Sequence, residues 1–143
     1  MTPRHMLIYR MIQTGHRDAE VERHVVQAIQ RWDRDGGDGA ALLRYLGIPT
    51  TAAKHRLAIR DFWLAAASDL AGGVTAYERA VKLETVLRRF TETWRAWRHL
   101  QEPPSHATAL QGSLFYAWQA APPPGRRRQL QTILSAAFPG NDC

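Results

Sequence analysis

Between residues 40 and 60 the chain carries four cations, Arg44, Lys54, Arg56 and Arg60, and no acidic side chain. Thr50, Thr51 and His55 stand among them and add hydrogen-bonding groups. Such a stretch suits a polyanion, because basic groups gathered in one place displace counterions from phosphates.

Catalytic chemistry has no comparable foothold. His5, His16, His24, His55, His99 and His106 include no pair at the i, i+4 spacing of a helical metal site. There is no Gly-rich phosphate loop and no nucleophile elbow. Asp61 and Asp69 are expected in a buried region, where a lone acid more often pairs with an arginine than acts as a base. The run Asp33 to Gly39 has the acidic spacing of the first half of a calcium loop. Its twelfth position is Arg44, where a bidentate Glu is needed, so it reads as a solvated turn. The sequence therefore calls for no enzyme activity, no metal and no cofactor.

The elements that must hold the basic stretch are two helices and a tight turn. Gly39 to Leu46 is a short amphipathic helix with Asp38 placed to cap its first amides, and Gly47 can take the left-handed conformation that ends it. Ile48 and Pro49 make the corner. Thr50, give or take one residue, is the expected N-cap of a second helix. Ala53 and Leu57 are expected on its inward face, with Thr51, Lys54, His55 and Arg60 on the other.

The corner Leu46-Gly47-Ile48-Pro49, followed by Ala53, Lys54, Arg56 and Leu57, resembles the helix-turn-helix unit of DNA-reading proteins over residues 39–60. Within that group it is most similar to the promoter-reading C-terminal region of bacterial sigma factors. The resemblance implies that the second helix enters the major groove of duplex DNA. Thr50, Thr51, Lys54 and His55 would then approach base edges, while Arg44, Arg56 and Arg60 grip phosphates. The family usually has a small residue where Leu43 stands and a β-branched one where Ala53 stands. A leucine there pushes the two helices apart unless Ala53 makes room. A Gly-Pro joint also serves as a plain helical corner, and that alternative stays open.

The remainder of the 143 residues reads as all-α, a compact helical domain of about six helices, with an N-terminal part over 1–73 and a C-terminal part over 74–143 packed on it. Residues 3–13 are too short a run to separate helix from strand. From Asp18, Val21, Val25, Ile29 and Trp32 fall on one face of a helix suited to support the motif. After Phe62, Trp63 and Leu64 the second motif helix is apolar on nearly every side and must be surrounded, until Gly72 and Gly73 stop it. Thr75 and Glu78 form a capping box for the longest helix. Its seam Ala80, Leu83, Leu87, Phe90, Trp94, Trp97 is expected to pack on other helices rather than as a homodimer coil. A helix from about Thr108 stops before Pro122, Pro123 and Pro124, and a last one buries Leu130, Ile133, Leu134, Ala137 and Phe138.

Cys143 is the only cysteine, so no disulfide can form within the chain. No apolar run reaches the length of a bilayer span, no signal peptide is apparent, and a cytoplasmic home is expected. A net charge of +6 and a pI near 10.2 favour a polyanionic partner. Only Lys54 and Lys82 are lysines among the 19 basic residues, an arginine bias that a GC-rich genome also produces.

Two functions follow. The first is a transcription regulator reading duplex DNA through residues 39–60, with the helices after Gly73 carrying a homodimer or a protein contact. The second is a basic adaptor, inhibitor or small subunit that binds an acidic protein or an RNA backbone. It would use a secondary surface of Arg88, Arg89, Arg126, Arg127 and Arg128, the last three standing where a helix dipole prefers anions.

Overall fold

The computed structural model describes residues 4–138, with side chains from residue 6 onward, so Cys143 and the side chain of His5 lie outside it. Among the described residues there are seven helices and no strand. They are α1 (Arg4–Thr14), α2 (Ala19–Arg34), α3 (Gly39–Leu46), α4 (Ala52–Ala71), α5 (Ala76–Trp97), α6 (Ala109–Ala120) and α7 (Arg127–Ala137). The helix beyond the expected six is α1. No helix among them is long and apolar enough to cross a membrane.

The contacts divide the chain into two compact units, Met1–Ala58 and Ile59–Cys143. The division falls inside α4, whereas the sequence suggested one at Gly73. Gly72 and Gly73 do end α4, but its second half already belongs to the core of the later helices.

In the first unit α1, α2 and α3 pack on one another. Asp18 starts α2 by accepting the Val21 amide at 2.9 Å, and the same carboxylate meets Arg10 of α1 at 2.7 Å. Leu7, Ile8, Tyr9, Val21, Ala28 and Ala41 are buried. So is His24, and here the structure departs from the expected inner face of α2. Val21, His24 and Ala28 face inward, while Ile29 is 45% exposed. The cause is a hydrogen bond: His24 Nε2 donates to the Leu46 carbonyl at 2.9 Å, satisfying one of the carbonyls that the end of α3 leaves unpaired.

In the second unit the latter part of α4 and helices α5, α6 and α7 share one core. It is built on Leu64, Leu83, Leu87, Phe90, Phe115 and Leu130, with Trp94 and Trp97 half-buried against it. The α5 seam thus packs within the unit. Thr75 accepts the Glu78 amide at 3.1 Å, and the Glu78 carboxylate takes the Val74 amide at 2.9 Å, so the return bond reaches one residue further upstream than a simple box. Thr108 and Gln111 close a complete capping box at the start of α6. Asp69, expected to be buried, is exposed at the end of α4, where it meets Arg79 at 3.1 Å.

Candidate nucleic-acid interface

The join between α3 and α4 is built as its residue order suggests. Asp38 accepts the Ala40 amide at 3.3 Å. Gly47 has φ 83°, and the Ile48 amide returns to the Leu43 carbonyl at 2.8 Å, a closure that needs the left-handed conformation. The cap of α4 is Thr51, one residue later than Thr50: its Oγ1 accepts the Lys54 amide at 3.3 Å. Thr50 is exposed in the corner.

The rotation of α4 about its own axis differs from expectation. His55 turns inward, half-buried, with Nδ1 3.0 Å from the Tyr9 hydroxyl of α1. Ala53 and Leu57 lie two positions to either side, about 200° round the helix. They are therefore carried outward, and Leu57 is 43% exposed. Ala53 is exposed and Leu43 half-buried, and α3 packs mainly on α2 and more lightly on α1.

The candidate residues consequently separate. Arg44, Lys54 and Arg56 are exposed, and among the described residues none of them forms an ion pair. Lys54 and Arg56 flank Ala53 and Leu57 on one outward face of α4. Thr51 is spent on its cap and His55 on Tyr9. Arg60 lies in the second unit, where its guanidinium binds Asp61 at 2.8 Å and the Pro122 carbonyl at 3.2 Å, with 14% of the side chain exposed.

The later basic residues also differ among themselves. Arg127 donates to Glu84 of α5 at 3.2 Å and to the Tyr77 hydroxyl at 3.3 Å, so this cation at the start of α7 is offset from within. Glu84 also meets Arg88 at 3.5 Å. Arg89, Arg126 and Arg128 are exposed and, among the described residues, form no ion pair. Arg126 holds the N-cap position of α7 without capping it.

A further basic group was not singled out by the sequence. Arg31 lies over the Tyr45 ring at 4.3 Å, joining the end of α2 to α3, and the Tyr45 hydroxyl donates to Asp35 at 2.5 Å. That bond to a carboxylate raises the tyrosine pKa above its ordinary value. The signal lay in Arg31, Arg34 and Tyr45 together, but only the packing of α2 on α3 brings them to one place. No group of three potential metal ligands gathers among the described residues. The chain matches no family model, no curated protein and no solved structure.

Proposed function

We propose that this protein is a cytoplasmic DNA-binding regulator that presents the first turns of α4 to the major groove. The observation that carries the reading is the outward face of α4. Lys54 and Arg56, both without ion pairs among the described residues, flank two apolar side chains at the start of a capped helix, in a stretch with no acid. A helix N-terminus favours phosphate through its free amides and its dipole. Ala53 and Leu57 suit the methyl group of thymine, the apolar mark that the major groove displays. Thr50 and Lys54 would reach base edges, and Arg44 and Arg56 phosphates. His55 sets the rotation of the helix and takes no part in contact. The chain in this reading performs no reaction.

The test is selection from a random pool of duplex DNA at about physiological salt, where sequence-blind binding is weak, roughly 10⁻⁴ to 10⁻⁶ M. A recovered consensus that is lost in Lys54→Glu and Arg56→Glu supports the reading. Weak, salt-sensitive binding with no consensus sinks it.

Arg89, Arg126 and Arg128, exposed and without an ion pair among the described residues, favour a second reading, a contact between the second unit and an acidic protein or an RNA backbone. Charge reversal at Arg89 or Arg126 would then dominate binding, and reversal at Lys54 would leave it intact.

A further inference from the structure

Between α2 and α3 runs a polar groove of about 340 Å³, lined by His24, Gln27, Ala28, Arg31, Arg34 and Tyr45. The group at its centre is held in advance. Tyr45 supports the face of the Arg31 guanidinium at 4.3 Å, and Asp35 lies 3.8 Å from its Nε. Neither holds the outer edge, and no side-chain hydrogen bond among the described residues occupies Nη1 or Nη2. A guanidinium stacked on an aromatic face, with a carboxylate at ion-pair distance from Nε and its paired terminal donors open, can take an oxyanion through two parallel bonds. Arg34 and Gln27 are exposed beside it, and Arg34 forms no ion pair among the described residues. Asp35 leaves an excess of one positive charge, and its acceptor is already engaged by Tyr45 at 2.5 Å.

We infer that this groove binds a phosphate group through Arg31, Arg34 and Gln27. The choice of a backbone phosphate of duplex DNA as its source rests on the reading of α4 given above. Arg31 and Arg34 stand in the last turn of α2, where cations also suit the helix dipole, so their charge is stable there before any ligand arrives. A contact of this kind adds affinity for any sequence and fixes register without reading bases.

The experiment is the salt dependence of duplex affinity for the full chain and for Arg31→Gln, Arg34→Gln and the double variant. Arg23→Gln serves as the control, since Arg23 is an exposed arginine of α2 that does not line the groove. Each lost phosphate contact lowers the slope of log affinity against log salt by about 0.9. The expected result is a lower slope for each groove variant, additive in the double variant, with Arg23→Gln near the parent. Slopes that stay at the parent value, or fall equally in Arg23→Gln, overturn the groove while leaving the α4 reading in place. Should the parent bind no duplex at all, the α4 reading fails and inorganic phosphate becomes the probe. Saturable shifts of the Gln27 and Arg31 side-chain resonances, lost in Arg34→Gln, then support a site for a free phosphate. No shift overturns it.

Discussion

The hydroxyl of Tyr9 and Nδ1 of His55 lie 3.0 Å apart, joining residues 46 positions apart in the chain. Tyr9 is only 2% exposed, so this bond orients α4 from inside the first unit. Tyr9→Phe should cost about 1 kcal/mol, the net worth of one intramolecular hydrogen bond, in urea unfolding. In combination with His55→Ala the two losses should not add, because both remove the same bond. Additive losses would mean that the two groups act separately.

The outward position of Leu57 can be weighed against Leu64 of the same helix. Leu57 is 43% exposed and Leu64 fully buried. Leu64→Ala should cost about 2 to 5 kcal/mol, as buried leucines do. Leu57→Ala should cost less, about 1 kcal/mol, since close to half of the residue already faces solvent. Equal losses would return Leu57 to an inward face.

Gly47 is the residue on which the corner depends. At φ 83° any side chain is strained, and Gly47→Ala should destabilise the first unit by roughly 1 to 2 kcal/mol. Amide hydrogen exchange in α3 would show it as faster opening, and an unchanged rate would contradict the left-handed conformation.

Ser68 lies fully buried in the second unit, and its Oγ has no hydrogen-bond partner among the described residues. A buried hydroxyl left unsatisfied carries a desolvation cost of about 1 to 3 kcal/mol. Ser68→Ala should therefore raise stability by about 1 kcal/mol, after a small loss of packing. A fall of that size in chemical denaturation would place a partner on the hydroxyl.

Two helix starts depend on ionised acids. The amide of Val21, with Arg10 and His16 nearby, holds the Asp18 carboxyl below its ordinary value of 3.8. The amides of Val74 and Thr75 hold Glu78 below 4.5. A folded pKa below the unfolded one gives stability that is complete above the unfolded value and lost as pH falls through the folded one. Unfolding midpoints should thus hold above about pH 4.5 and decline on further acidification. Asp18→Asn and Glu78→Gln should flatten that decline, and an unaltered acid limb would remove these caps from the account.

The long apolar seam of α5 was legible because large side chains recur every three or four positions, and that spacing survives any detail of tertiary contact. The inner faces of α2 and α4 were not. In both, a histidine displaces a larger aliphatic residue from the interior, His24 for Ile29 and His55 for Leu57. Hydropathy ranks the aliphatic residue higher. Each histidine nevertheless finds a specific partner far along the chain, the Leu46 carbonyl or the Tyr9 hydroxyl, and such a partner is invisible to periodicity. For the same reason the corner at Gly47 could be read from its own residues, whereas the engagement of His55 by Tyr9 and of Arg60 by Asp61 and Pro122 could not. The groove of Arg31 and Tyr45 needed two helices in place before it existed.

The indoles of Trp94 and Trp118 stack in the second unit, 5.7 Å between centroids and 20° from parallel. Two identical chromophores at that separation share their electronic excitation, and in the chiral setting of a protein the shared transition splits into bands of opposite sign. The second unit thus carries its own optical label in circular dichroism, while Trp32 is the one tryptophan of the first. Loss of that signal on heating should therefore report the melting of the second unit.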